Sequence, residues 1–402
     1  MNCSQEYFLD LLSSKINGKK VNATVSGINW DEIYKLANIH SLVAIIFSAI
    51  NDLPRDCRPP EEIYNKMKKR FFLQIQRNTS IENYAKKLIE VFNQEKIDHI
   101  IMKGYILKNY YPSPEYRSMS DVDILIKDKD RDKSHHIMQR LGYKNNTKGV
   151  TVWDYVKNVS FIEIHTVLFN KEFKDDVDFK EYFSNVWQNT KKFDSEYSYM
   201  LNEQYNLIYL LVHAAKHFHN CGCGVRMIMD IAVYINKFGD ILDWEYIWNE
   251  LDKLDLKLFT QNILVLCNKW FNTEIDFEYK IEPEFYDKLC ESILLGGTFG
   301  FENSNSRIAM IRNEVKDNKK SHKRVMIKMF KEMFFPSYNE LIKRDRYSFL
   351  KNRKYLIGFA WIDRWFYQIK HKGKKSIKYM SDIIHSNDKV NEENEIMKKL
   401  GV

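Results

Sequence analysis

Residues 118–126 read Ser-Met-Ser-Asp-Val-Asp-Ile-Leu-Ile, and this stretch constrains the chain more than any other. A segment that alternates in this way is a β-strand with two unlike faces. Asp121 and Asp123 share one face, while Val122, Ile124 and Ile126 point the other way, into whatever covers the sheet. Two carboxylates side by side repel each other unless something positive lies between them. The simplest such partner is a divalent cation, and hard oxygen ligands suit Mg²⁺ above all. The pair therefore points to a strand end that holds metal and handles phosphoryl groups. The plain alternative is an acidic strand start that is merely solvated.

The neighbouring segments give that strand a setting. Ile100-Ile101-Met102 is a short apolar run ending at Lys103-Gly104, which predicts a second, buried strand. Tyr105–Tyr110 reads as one or two helical turns stopped by Pro112 and Pro114. Arg131–Leu141 predicts a helix closed by Gly142 at its C-cap. Val150–Val156 and Phe161–Leu168 predict two antiparallel strands about Lys157-Asn158, the second with Phe161, Glu163 and His165 on one face. Burying Glu163 between Ile162 and Ile164 without a partner would cost on the order of several kcal/mol, so it needs a cation or an open cleft. Three carboxylates from two strands can hold two metal ions.

Helices surround this unit. Residues 1–75 read as helical, with apolar spacing over Ile28–Ile50, a break at Asn51–Pro60 and a new helix from Glu61 toward Arg77. Thr79-Ser80-Ile81-Glu82 has the form of a capping box, opening a further helix with Ile81, Tyr84, Ala85, Leu88, Val91 and Phe92 on one face. From about residue 200 the chain is helical again, over Leu207–His219, Arg226–Phe238 and Asp243 to about Leu256. Gly296–Gly300 reads as a flexible break and 317–324 as a solvated charged run. Tyr355–Ile369 is aromatic and amphipathic, and the basic segment Lys370–Lys375 follows it, either as a solvated helix or as a contact for anionic lipid or RNA.

The expected fold class is α+β, a small mixed sheet over residues 79–170 between an N-terminal helical segment, 1–78, and a C-terminal helical domain, 171–402. Composition agrees, with 14 glycines and 7 prolines in 402 residues and 44% hydrophobic content. The charge balance, 62 − 54 = +8, favours anionic partners such as nucleotides but is too small to diagnose nucleic-acid binding. Six scattered cysteines suit free thiols in a reducing compartment. No secretory signal and no apolar run of the ~18–20 residues a membrane span needs is visible, so the expected location is cytoplasmic.

The segments MKGYILKNYYPSPEYRSMSDVDILI, IEIHTVLF, LLVHAAKHFHNCGCGVRMIMDIAVYI and FFPSYNELIKRDRYSFLKNRKYLIGFAWIDRWF resemble the uncharacterised bacterial nucleotidyltransferase family, within the polymerase-beta-like superfamily. The resemblance runs from about residue 30 to 368. It implies that Asp121 and Asp123 bind two Mg²⁺ ions, one carrying the phosphates of a nucleoside triphosphate. Glu163 would complete the second metal site and help deprotonate an acceptor hydroxyl. Where the superfamily has a Ser after the Gly turn this chain has Tyr105, and the gap from Gly104 to Asp121 is long. Lys103 and Arg117 are the substitutes for phosphate handling, or else ordinary surface cations.

His165 either lines the acceptor pocket or is a hydrogen-bonded structural histidine. His213 and His217, four apart on one helix face, could with His219, Cys221 and Cys223 suggest zinc, but Cys-x-Cys is tighter than usual structural zinc spacing. More in keeping, His213, His217, Arg226 and Asp230 face the cleft and contact nucleotide or acceptor. A buried Arg–Asp pair knitting helices together explains the last two equally well. The expected activity is Mg-dependent transfer of a nucleoside monophosphate to a hydroxyl or phosphate of a small molecule, with release of pyrophosphate. The alternatives are a toxin-like enzyme acting on tRNA or protein, and a degenerate nucleotide-binding scaffold.

Overall fold

The computed structural model describes residues 1–23, 26–169, 173–174, 176–220, 222–298, 324, 327–328, 331–332, 334–342, 345–367 and 386–402. The segment 317–324, apart from residue 324, the basic segment 370–375, Cys221, the last residues of the Gly296–Gly300 break and the end of 355–369 lie outside them. The chain divides into two compact units, Met1–Asn303 with Leu400–Val402, and Ser304–Lys399.

In the first unit, α1 (Cys3–Ile16) starts at a capping box between Asn2 and Gln5, and α2 (Trp30–Ile39) at Asn29, whose side chain accepts from the Asp31 and Glu32 amides. α3 (Val43–Asn51) is almost wholly buried. α4 (Glu61–Gln94) is one unbroken helix of 34 residues, so the capping box expected at Thr79 does not form. Nothing between Arg77 and Ile81 breaks a helix, and Ser80 instead returns its hydroxyl to the Gln76 carbonyl one turn back, 2.9 Å. At the same level Asn78 is buried and accepts from the Met119 amide while donating to the Arg117 carbonyl, both at 3.2 Å. That side chain ties α4 to the loop that delivers Asp121.

The sheet has seven strands in the order β3-β4-β5-β2-β1-β7-β6: β1 (His99–Ile101), β2 (Val122–Ile126), β3 (Lys144–Lys148), β4 (Val152–Lys157), β5 (Ser160–His165), β6 (Thr190–Lys192) and β7 (Ser198–Leu201). β1 and β2 are antiparallel, whereas β2 and β5 are parallel with Asp123 opposite Glu163. The expected hairpin is present as β4 and β5, with Asn158 in its turn at φ +52°. Three strands have no counterpart in the sequence reading. β3 is polar throughout, Lys-Asn-Asn-Thr-Lys, and β6 and β7 are three and four residues long, so no alternation marks them.

One face of the sheet carries Ile101, Val122, Ile124, Ile126, Tyr155, Ile162 and Ile164. They pack on Ile81, Ala85, Leu88 and Phe92 of α4 and on Ile137 and Met138 of α6 (Arg131–Arg140), whose C-cap is Leu141, with the expected glycine, Gly142, one place further on at φ +81°. Because this core holds the even-numbered side of β2, the odd-numbered carboxylate side is left to line a site. Between these elements lie α5 (Gly104–Leu107) and α7 (Phe179–Tyr182). After the sheet come α8 (Glu203–Asn220), α9 (Val225–Phe238), α10 (Trp244–Lys253), α11 (Lys257–Phe271) and α12 (Pro283–Gly296).

His40, at the end of α2, is fully buried, with Nε2 2.9 Å from the Leu294 carbonyl and Nδ1 accepting from the Val225 amide. Burial pushes its imidazole down to about 4. A histidine held below its ordinary value stabilises the fold fully above the unfolded pKa and loses that contribution as pH falls through the folded one. With an unfolded value near 6.5 the loss amounts to about 3 kcal/mol between roughly pH 6.5 and 4. Urea unfolding at pH 7 and 4.5 checks this: His40→Gln should flatten the pH dependence, and an unchanged slope would contradict it.

The second unit has its own small core of Leu341, Tyr347, Leu350 and Ala360. Its short helix Tyr338–Leu341 is capped by Ser337, Arg346 grips Asp363, and the Trp361 and Trp365 indoles donate to the Pro336 and Phe334 carbonyls. Among the described residues, no helix is long and apolar enough to cross a membrane.

Candidate active site

The carboxylate face of β2 and β5 opens onto a cavity of about 380 Å³ whose far wall is built by α8 and α9. Asp123, nearly fully buried, stands at its base. Lys103 Nζ donates to Asp123 Oδ1 at 2.7 Å, and His165 Nε2 lies 3.1 Å from the same oxygen and 3.3 Å from Glu163 Oε2. Burial alone would raise the Asp123 carboxyl, but Lys103 and His165 outweigh it and hold that group well below the usual carboxylate range. Burial works to lower both cationic partners, yet the carboxylates raise Lys103 and His165 above their ordinary values.

Lys103 reaches this position through an unusual backbone, φ +48° and ψ −128°. A residue with a Cβ seldom occupies that region, and such strain persists only where the surroundings enforce it. The next residue is closely approached as well. A Cβ on Gly104 would lie 3.2 Å from the Arg117 guanidinium, so the glycine serves close approach. Tyr105, the residue after Gly104, turns away from the cavity into the core beneath the sheet.

Ligand atoms of Asp123, Glu163 and His165 all lie within 4.8 Å of one another, the arrangement a metal ion needs. Asp121 lines the same cavity but stands outside this cluster, accepting from Ser120 Oγ at 2.9 Å. Burial, then the charge of Asp123, raises its carboxyl above the ordinary value. So β2 and β5 converge as expected, and an imidazole joins two carboxylates in the tight group.

The other expected residues all border the cavity. Arg117 spends its fork on Asp230: Nε lies 2.9 Å from Oδ1, Nη2 lies 2.9 Å from Oδ2, and Nη1 donates to the Ser118 carbonyl. Tyr111 adds a hydroxyl to Asp230 at 2.6 Å. The buried Arg–Asp pair is thus Arg117 with Asp230, joining the loop before β2 to α9. Arg226 instead donates to Ser118 Oγ at 2.9 Å, and burial, then Arg117, lowers its guanidinium to about 10. His213 and His217 are pushed down by burial and then by Lys103, His217 to about 4, which leaves two neutral imidazoles on the wall.

Tyr209 and Lys216 also line the cavity and went unnoticed in the sequence. Tyr209 is hydrogen-bonded to Lys103, and Lys216 Nζ lies 4.7 Å from the centre of the Phe169 ring. Tyr209, His213 and Lys216 fall at i, i+4 and i+7, so one stripe of α8 carries all three, and helical spacing around His213 would have found them.

The cavity therefore offers an acidic base with one imidazole, four lining cations (Lys103, Arg117, Lys216 and Arg226) and an apolar flank of Val152, Val167, Leu168 and Phe169. No curated protein and no solved structure matches the chain. Residues 26–272, more than half of the chain and inclusive of every residue named in this site, match the model of a family described as uncharacterised nucleotidyltransferase. The chain accordingly belongs to the uncharacterised nucleotidyltransferase family, enzymes whose substrate is a nucleotide.

Proposed function

We propose that the enzyme is a divalent-metal-dependent, polymerase-beta-like nucleotidyltransferase that moves a nucleoside monophosphate from a triphosphate to a hydroxyl or phosphate of a small acceptor. One observation carries this reading: Asp123 and Glu163 are register partners on adjacent parallel strands, with His165 two residues on completing a group of three close donors. The donor set fits a divalent cation, because it supplies two anionic oxygens and one nitrogen at the floor of a cavity large enough for a nucleotide fragment. Asp123, Glu163 and His165 would hold the ion, with Asp121 beside them. Bound there, it would carry phosphate oxygens and offset the charge that develops on them.

The chain's own residues supply the rest. Lys103 fixes the Asp123 carboxylate in place from a backbone that leaves it little freedom. Glu163, about one-quarter exposed at its side chain, faces the cavity and takes the proton of an attacking hydroxyl. The acceptor oxygen forms a bond to the α-phosphorus as the bond to the bridging oxygen breaks, and pyrophosphate leaves with that electron pair. The neutral His213 and His217 offer acceptors to the nucleoside without adding charge, and the Phe169 flank shields the bond-making atoms from water.

Incubation with each labelled triphosphate, Mg²⁺ or Mn²⁺ and a cell extract tests the reading, with label expected in small metabolites and unlabelled pyrophosphate released. Label entering tRNA or protein would redirect the acceptor, and binding without any pyrophosphate release would leave a scaffold. Independently of turnover, the nitrogen donor leads us to expect that Mn²⁺ competes well against Mg²⁺. Titration followed by Mn²⁺ paramagnetic resonance should show one tight ion, weakened at least about tenfold by Glu163→Gln because a charged ligand is lost.

A further inference from the structure

A second cleft, of about 280 Å³, lies on the N-terminal side of the loop that carries Ser118 and Ser120. The cleft is bordered by Arg70 and Arg77 of α4 and by Arg226 of α9, and among the described residues no carboxylate lines it. On α4, Arg70, Leu73, Gln74 and Arg77 fall at i, i+3, i+4 and i+7, so a single stripe of the helix faces the opening. Arg70 and Arg77 are exposed, and neither forms an ion pair among the described residues. Neutral donors fill the remaining wall, among them the Asn38 and Asn78 amides and the Ser41 hydroxyl.

Two residues belong to this cleft and to the catalytic cavity alike: Ser120, which donates to Asp121, and Arg226. The two spaces thus meet beside Asp121. In an in-line displacement the entering and departing oxygens stand on opposite sides of phosphorus, so a nucleotide in the larger cavity needs its acceptor to come from another direction. Three guanidiniums without a carboxylate form a natural host for a dianion, since their planar forks match phosphate oxygens. The volume suits a phosphate and a small body attached to it.

We propose that this arginine cleft is the acceptor subsite and takes the phosphate group of a small phosphomonoester. The assignment rests on the nucleotidyl-transfer reading, although the anion site itself can be tested without it. The double variant Arg70→Gln and Arg77→Gln alters exposed helix positions with a good helix former and leaves the catalytic cavity intact. Calorimetry of the full chain at low ionic strength, with inorganic phosphate as the probe, should show the dissociation constant rising at least about tenfold in the variant, the value of one or two charge-assisted hydrogen bonds. Affinity for a magnesium complex of a non-hydrolysable triphosphate analogue should stay within about twofold, as for independent sites. Wild-type protein saturated with the analogue should still bind phosphate.

If analogue and phosphate exclude each other and both weaken in the variant, the cleft holds the nucleotide's own phosphate tail and the proposal fails. Phosphate binding that is absent, or unchanged by the two substitutions, also overturns it. So does phosphate-competitive binding of total tRNA that the variant loses, which would make the acceptor a nucleic acid. If the analogue never binds while arginine-dependent phosphate binding persists, the transfer reading falls and the anion site stands.

Discussion

Asp123→Asn should lower nucleotidyl transfer by about a thousandfold or more, the scale lost when a group that stabilises the charge of the reaction is removed. Asparagine keeps the shape and one acceptor oxygen for Lys103, so the fold should survive with a modest fall in stability. What disappears is the negative charge that Lys103 and His165 address and that the proposed cation would share. The measurement is pyrophosphate release from labelled triphosphate, with a thermal melt of the same sample as control. Activity above about one-hundredth of wild type in a well-folded variant would remove Asp123 from the chemistry.

The largest stability effect is expected at Asp230. Its carboxylate accepts from Arg117 and Tyr111 in a buried setting. Asp230→Ala strands a buried guanidinium and should cost about 3–5 kcal/mol in urea unfolding. Replacing both partners by hydrocarbon, Arg117→Met with Asp230→Leu, should restore most of that loss, because a buried ion pair seldom outperforms well-packed apolar side chains. The double variant also isolates function: if Arg117 serves only to hold the loop before β2, transfer returns with stability. Transfer that stays low in a stable double variant would give Arg117 a direct role at phosphate.

The acidic strand and its partner were legible because their signal is local. Alternation over Asp121–Ile126 and Phe161–His165 sets the faces, and one buried core decides which face opens. His165 was visible on the Glu163 face, but its place beside Asp123 and Glu163, with Asp121 outside that cluster, depends on where β2 begins relative to β5, which no single strand reveals. The pairing of Arg117 with Asp230 spans 113 residues and was beyond local reading, as Arg226 has the nearer and simpler spacing. β7 exists through pairing onto β1, and β6 through pairing onto β7, not through any preference of their own short sequences. The Thr79 motif misled because a capping box signals a start only where something stops the preceding turn.

The continuity of α4 reaches further than its packing. Its N-terminal half presents the two exposed arginines and its C-terminal half is seated under the sheet, with Asn78 at the join. Such a rod has one rotational phase. Inserting a single residue after Asn78 would leave the seated half in place and swing Arg70 and Arg77 around the axis by about 100°. A change of length in this segment therefore carries the arginine stripe away from its cleft, whereas substitution at exposed positions of α4 outside that stripe leaves the phase untouched.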